Sequence, residues 1–429
     1  MSNYTVQPAA GVRGAIAVPG DKSISHRSIM FGSLARGTTI VRGFLRGEDT
    51  ISTLKAFRAM GVNACDDGEV IRIQGAGLHG LKEPVDVLDC GNSGTSMRLL
   101  TGMLAGQNFF SVLSGDQYLR NRPMGRVIEP LAGMGATIFG RAGGTRAPLA
   151  IQGRTLKGIS FSSPVASAQV KSALLLAGLY ADGETRVTEP SLSRDHSERM
   201  LRYFGADIEP LSNGARIRGG RILEGREVHV PGDISSAAFF IVAALLVPDS
   251  ELLITGVGMN PTRTGIIDIL LRMGASIEQL NFSETSGEPV ADLLVRSSSL
   301  HGIEIGGELV PRAIDEFPVI CVAASCAEGK TVLRDARELR VKETDRIAAM
   351  AANLSKAGVS VVETEDGMEI TGGGRLLGCT ADSFGDHRIA MSMIMAGLVA
   401  KGETTVTDVG CISTSFPSFI ELLERVCVR

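Results

Sequence analysis

Six times along the chain a short polar cluster opens into an apolar helix that closes on a small-residue turn. The segments are 20–37 (GDKSISHRSIMFGSLARG), 91–106 (GNSGTSMRLLTGMLAG), 166–183 (ASAQVKSALLLAGLYADG), 232–249 (GDISSAAFFIVAALLVPD), 314–329 (IDEFPVICVAASCAEG) and 385–402 (GDHRIAMSMIMAGLVAKG). Counted from Asp21, Gly91, Ser167, Asp233, Asp315 and Asp386, they recur after 70, 76, 66, 82 and 71 residues. Self-similarity at a steady spacing means one supersecondary unit used repeatedly, and it sets the architecture before any single residue is read. It also directs the search for chemistry, because the polar residues gather at helix N-termini. There, unpaired backbone N–H groups and roughly half a positive charge favour anions.

Each repeat continues in a common way. A turn leads into a β-like run, as in GTTIVRG (37–43), GETRVTE (183–189), SELLITG (250–256), GKTVLRD (329–335) and GETTVTD (402–408), with NFFSVL (108–113) filling this slot in the second unit. A second, amphipathic helix follows, for example TISTLKAFRAMG (50–61) or TGIIDILLRMG (264–274), often ending in a Gly suited to a left-handed C-cap. Alternating segments such as Val70–Gln74 then read as strands. The unit is βαβαββ.

VPGD occurs twice, at 18–21 and 230–233, each time opening a repeat helix. Two halves of three units each are therefore expected. Residues 4–18 are strand-like with no helix ahead of them, and the last unit lacks its closing strands, so the N-terminus is expected to complete the C-terminal half. The predicted fold is α/β, with two similar domains of three βαβαββ repeats. Domain 1 is 1–20 plus 233–429, domain 2 is 21–232, and hinges lie near 18–21 and 230–233. Two short crossings suit a hinge with the site in the cleft.

Charge narrows the partners. A net charge of −4 argues against non-specific binding to nucleic acid or an anionic membrane surface. Apolar runs such as Ala237–Val247 are too short to span a bilayer. The seven cysteines are odd in number and form neither a CxxC pair nor a Cys/His cluster of zinc spacing, so reduced thiols and no metal are expected. The first twenty residues lack the basic start and long apolar core of a signal peptide. A cytoplasmic protein is expected.

Against that acidic balance, cations collect at the polar starts. Lys22 and Ser23 open the first helix with Arg27 one turn on; a capping Ser beside two solvated cations is the competing reading. In GNSGTSMR, Gly91 and Gly94 let an anion approach the backbone, and Asn92 adds a donor. Arg120 and Arg122 lie in a loop ahead of a helix, where a guanidinium suits bidentate contact with phosphate or carboxylate. Ser167 and Gln169 supply neutral donors at the third start, and SRDHSE (193–198) adds Arg194; His196 reads as a surface residue of a helix start. In the fifth unit Asp315 reads as an N-cap of IDEFP. VKETDR is expected to open a helix that places Lys342 and Arg346 four residues apart, with Glu343 relieving part of their repulsion. Arg388 in GDHR has the wrong sign for a helix N-terminus, which favours an anionic partner. The fourth start, GDISSA, shows no cation and reads mainly as hinge. One or two small polyanions bearing phosphate and carboxylate groups are the expected ligands.

The set GDKSISHR, GNSGTSMR, NRPMG, SAQVK, IDEFP, RVKETDR and GDHR, in this order, closely resembles the EPSP synthase (3-phosphoshikimate 1-carboxyvinyltransferase) family over essentially the whole chain. SAQVK, RDHSE and NPTR (260–263) resemble its class II subgroup, several of whose members tolerate glyphosate. The resemblance implies the family's two-domain inside-out α/β barrel closing over its site. It implies transfer of the enolpyruvyl group of phosphoenolpyruvate to the 5-hydroxyl of shikimate-3-phosphate, on the route to aromatic amino acids. It assigns shikimate-3-phosphate to Lys22, Ser23, Arg27, Ser167, Ala168, Gln169, Arg194, Asp315 and Lys342. It assigns phosphoenolpyruvate to Lys22, Asn92, Gly94, Arg122, Gln169, Arg346 and Arg388. Asp315 and Glu343 become the acid–base pair, with Lys22 assisting. No cofactor or metal is implied, glyphosate is an implied inhibitor, and a monomer is expected.

Two departures stand out. A Lys in the C-terminal loop of many class I relatives falls on Thr414, and the Gly94 position carries Ala in some strongly tolerant class II enzymes. Rival readings are enolpyruvyl transfer to UDP-N-acetylglucosamine and a non-catalytic polyanion-binding repeat protein. The first family has a Lys-Asn pair where this chain has Lys22–Ser23, and a Cys in a loop where 114–123 has none. The second has no use for Asp315 and Glu343 among its cations.

Overall fold

The computed structural model describes residues 2–429, which fall into two compact units. One comprises 2–19, 231–283 and 289–429, and the other 20–230 with the short turn 284–288. The six repeat helices are α1 (Lys22–Leu34), α2 (Gly94–Ala105), α3 (Ala168–Gly178), α4 (Ile234–Leu246), α5 (Phe317–Cys326) and α6 (His387–Gly397). All six are buried along most of their length, so each must start in a polar cap and be sheathed by other elements. Side chains of Asp21, Ser93, Ser167, Asp233 and Asp386 cap five of the six by accepting a backbone N–H from the first turn.

In the unit built from 20–230, three four-stranded sheets share one plan. The strand that follows each repeat helix (Arg36–Arg42, Phe110–Ser114, Glu184–Thr188) pairs antiparallel with the strand that ends its repeat (Val70–Ala76, Arg146–Gln152, Gly214–Arg218). On its other side it takes a parallel partner: Glu227–His229, Leu88–Asp89 and Ser160–Ser162 respectively. The strand Glu227–His229 comes from the end of the third repeat yet pairs with the first, which joins the three repeats in a cycle. The second helices run Glu48–Ala59, Gly125–Gly133 and His196–Tyr203, followed by Gly61, Gly135 and Gly205 at positive φ, as the C-cap reading required. Gly102 decides how closely α2 and α3 pass, because a Cβ there would lie 2.1 Å from the carbonyl oxygen of Ala173.

The other unit repeats the plan with its own variations. Tyr4–Val6 pairs antiparallel with Thr404–Thr407, and Gly11–Ala17 runs parallel to Glu251–Gly258. Cys427–Val428 closes the edge beside Gly11 and Val12. A long hairpin, Ser276–Thr285 with Glu288–Arg296, extends the same sheet. The architecture is mixed α/β in seven separate sheets, and none closes into a barrel among the described residues. No helix of the described residues is long and apolar enough to cross a membrane.

Candidate active site

In the unit of 20–230, side-chain bonds tie the starts of α1, α2 and α3 together. Arg27 projects from α1 and donates from Nε to Ser197 Oγ (2.7 Å) and from Nη2 to Ser172 Oγ (3.0 Å), reaching both the second helix of the third repeat and α3. Its Nη1 donates to the Ser23 backbone carbonyl at 2.9 Å, so Ser23 and Arg27 meet through the backbone as well as by helical spacing. Arg27 is 3% exposed, which replaces the solvated-cation reading with a structural clamp beside the site. Burial lowers its pKa to about 10; Glu198 and Asp21 oppose that, and the nearby Arg194 charge adds to it. Lys22 is partly exposed and its Nζ lies 3.2 Å from Asp49 Oδ2.

The starts of α2 and α3 meet through Gln169. Its Nε2 donates to Thr95 Oγ1 at 3.0 Å, and its Oε1 accepts from Nη1 of Arg98 at 2.5 Å. Arg98 and Arg122 converge on Gly94: a Cβ placed there would lie 2.9 Å from Nη1 of each. Asn92 donates to Asp116 Oδ2 at 2.6 Å, and the backbone N–H of Ser167 donates to Glu189 Oε1 at 2.8 Å. Lys171, on α3, is fully buried between Glu189 (3.0 Å) and Glu198 (2.8 Å). Burial alone would discharge it; the two carboxylates outweigh that and raise its pKa. The result is a patch of neutral donors and guanidinium groups at three helix starts, held from behind by paired carboxylates, and suited to small anions.

In the other unit, Arg346 performs the same lacing. Its Nε donates to Asp386 Oδ2 (2.8 Å), Nη1 to Asp315 Oδ1 (3.2 Å) and Nη2 to Glu343 Oε2 (2.7 Å). Arg388 Nη2 lies 3.8 Å from Asp315 Oδ2. Three carboxylates are thus fixed on one buried guanidinium, with Lys342 close enough to feel Asp315 and Glu343: burial lowers its pKa, and Asp315 is the largest opposing charge.

Several sequence readings need correction. Asp315 is not the N-cap of its helix; α5 starts after Glu316, and Asp315 lies in the preceding turn with its side chain on Arg346. VKETDR does not begin a helix at Val341. Asp345 caps a helix that starts at Arg346, accepting from Ala348 N at 3.0 Å, so Lys342 and Glu343 lie ahead of the helix, not on its first turn, although the Arg346 charge still disfavours that of Lys342. His196 is 2% exposed, not superficial, and its Nδ1 lies 2.7 Å from Glu288 Oε1. The fourth start does hold a cation: Arg263, carried in by the NPTR turn, lies 3.2 Å from the cap Asp233. A cation contributed from thirty residues downstream leaves no mark in the start's own sequence. Arg98, Asp49 and Asp116 were also missed. Arg98 had a legible signal, one helical turn after Gly94; the two acids sit near ordinary helix and turn starts and had none. Thr414 ends a 3₁₀ turn and donates to the Cys411 carbonyl at 2.8 Å.

A repeated helix–sheet plan with anion-suited helix starts and clamped carboxylates defines an enolpyruvyl-transferase-like protein, and structural comparison agrees. EPSP synthase from Acinetobacter baumannii matches with a TM-score of 0.90 and 49% identity, covering 99% of this chain and 98% of that one. The enolpyruvyl transferase NikO from Streptomyces tendae, 19% identical with a TM-score of 0.79 over 98% of this chain and 96% of its own, shares the fold. The sequence model of EPSP synthase (3-phosphoshikimate 1-carboxyvinyltransferase) matches residues 6–423. The 3-phosphoshikimate 1-carboxyvinyltransferases of Geotalea uraniireducens and Geobacter metallireducens are 77% and 73% identical over 100% of both chains. The chain belongs to the EPSP synthase family. It is a transferase of the shikimate pathway whose reaction is enolpyruvyl transfer.

Proposed function

We propose that the residues of the two laced clusters together serve this one reaction. Lys22, Ser23, Arg27, Ser167, Ala168, Gln169, Arg194, Asp315 and Lys342 bind shikimate-3-phosphate. Lys22, Asn92, Gly94, Arg122, Gln169, Arg346 and Arg388 bind phosphoenolpyruvate. The acceptor's 5-hydroxyl adds to C2 of phosphoenolpyruvate while C3 takes a proton, giving a tetrahedral ketal phosphate. Loss of phosphate with a C3 proton leaves the enol ether. Asp315 and Glu343 exchange the protons, with Lys22 assisting, and the rate comes from positioning two like-charged substrates and from the two transfers. Glyphosate competes for the phosphoenolpyruvate groups, and the protein acts as a cytoplasmic monomer.

The observation that carries this reading is the shared guanidinium of Arg346, which holds Asp315 and Glu343 at 3.2 and 2.7 Å. A binding-only protein gains nothing from two carboxylates there, since they weaken anion binding. The names of the close relatives favour 3-phosphoshikimate over UDP-N-acetylglucosamine as acceptor. The test is Asp315→Asn: its Kd for shikimate-3-phosphate stays within a few-fold of wild type while turnover falls at least 100-fold. Turnover within a few-fold of wild type places the proton transfer elsewhere.

A further inference from the structure

Next to Asp315 in the chain lies one member of a second, buried ion pair to which none of the roles above is assigned. Glu316, the next residue, has partners of its own. Its Oε1 accepts from the Ser235 hydroxyl at the start of α4 and lies 3.7 Å from Nη2 of Arg263. Arg263 also donates to the cap Asp233 at 3.2 Å and to Ser235 Oγ. Glu316 is 1% exposed and Arg263 2%. Among the described residues Glu316 Oε2 has no hydrogen-bond partner. The turn that supplies Arg263 is itself fixed. Thr262 N and Oγ1 both donate to Asn260 Oδ1 at 2.9 and 2.7 Å, and Arg312 Nε donates to the Pro261 carbonyl at 2.8 Å.

A buried pair of this kind is a weak source of stability, because desolvating two charges offsets most of their attraction. Its strength is geometric. Asp315 and Glu316 are consecutive residues in the turn before α5, and each carboxylate is gripped by an arginine from a different segment: Arg346 on one, Arg263 on the other. Such a turn is held against rotation from two sides. A displacement of about 1 Å at a reacting group costs roughly 100-fold in rate.

We propose that Arg263 and Glu316 are positioning residues for Asp315, forming a strut from the start of α4 that holds the acid–base carboxylate in register. This rests on the reading of Asp315 as a proton-transfer group. Removing the strut leaves the substrate-binding cations in place, so kcat falls while the Kd for shikimate-3-phosphate does not change. Glu316→Gln keeps an acceptor for Ser235 and removes the charge. The apolar pair Arg263→Met with Glu316→Leu tests the same point in a variant whose core carries no orphaned charge.

The experiment measures kcat, the Kd for shikimate-3-phosphate and the Tm of these variants, alone and combined with Asp315→Asn. The proposal expects a tenfold or larger loss of kcat with Kd within twofold of wild type. It also expects no further loss when Glu316→Gln is added to Asp315→Asn. A kcat within twofold of wild type for Glu316→Gln and the apolar pair overturns it. So does a Glu316→Gln loss that persists undiminished in the Asp315→Asn background, since the residue then acts on something other than Asp315. If Asp315→Asn alone retains full turnover, the reading of Asp315 itself fails, and that outcome is distinct from both.

Discussion

Arg346 donates from Nε to Asp386 Oδ2 at 2.8 Å, with both groups buried, and this bond turns the guanidinium so that its two remaining nitrogens face Asp315 and Glu343. Asp386 caps α6, accepting from Arg388 N at 2.8 Å, so a helix start anchors the arginine that anchors both carboxylates. Burial disfavours the Arg346 charge, but Asp386, Glu343 and Asp315 together outweigh it and raise its pKa. The group is a fixed cation at any working pH.

Asp386→Ala therefore removes a cap and orphans one edge of a buried guanidinium. Losing one member of a buried pair costs about 3 kcal/mol or more. Urea denaturation is expected to show that loss, together with a large fall in turnover. Stability within about 0.5 kcal/mol of wild type, the range of an ordinary surface change, means that the anchor is dispensable.

Gly94→Ala places a methyl group 2.9 Å from the ends of Arg98 and Arg122. Both are long side chains, so the helix keeps its fold while the guanidinium groups shift. A cost of about 1.4 kcal/mol, within the usual overpacking range, corresponds to a tenfold rise in KM for phosphoenolpyruvate. Steady-state kinetics should show that rise, with the KM for shikimate-3-phosphate little changed and glyphosate inhibition weakened. An unchanged phosphoenolpyruvate KM removes Gly94 from its site.

His26 is buried on α1, with Nδ1 2.7 Å from Thr53 Oγ1 in a chain that continues through Ser96 to Ser93. Burial, then the charges of Lys22 and Arg27, hold its pKa well below 6.5. The unfolded chain takes up a proton near pH 6.5 that the folded chain refuses, so stability falls as pH drops below that point. The slope is about 1.4 kcal/mol per pH unit from this one group. His26→Asn is expected to show an acid-side slope shallower by that amount in chemical denaturation. Equal slopes contradict the assignment.

Lys342 titrates below its ordinary value because burial disfavours its charge, with Asp315 opposing and Arg346 adding to the effect. Its contribution to binding an anion is present below that lowered pKa and is lost as pH rises through it. Affinity for shikimate-3-phosphate should thus weaken on the alkaline side earlier than a free lysine of pKa about 10.4 would allow. Lys342→Arg should flatten the limb in a titration of Kd against pH. A limb that survives unchanged in Lys342→Arg belongs to another group.

The rhythm of the chain was legible because all six repeat helices are buried almost all round, which forces long apolar runs between polar starts. The strands were legible in their alternation, the second helices in their one-sided apolar stripe, and the family in the polar motifs at the helix starts. What the sequence hid was traffic between segments. Arg263 serves a start thirty residues before it, Glu288 pairs with His196, and Glu198 and Glu189 neutralise Lys171. No local spacing records such pairs. Local spacing also misled at VKETDR, where Asp345 claims the cap and leaves Lys342 in extended chain.

The central claim is that the laced helix starts transfer an enolpyruvyl group to one phosphorylated acceptor. Its most direct test is phosphate release from phosphoenolpyruvate by the purified protein, with either shikimate-3-phosphate or UDP-N-acetylglucosamine as acceptor. Release with the first and none above background with the second is the predicted result. Release with UDP-N-acetylglucosamine alone, or with neither, contradicts the account.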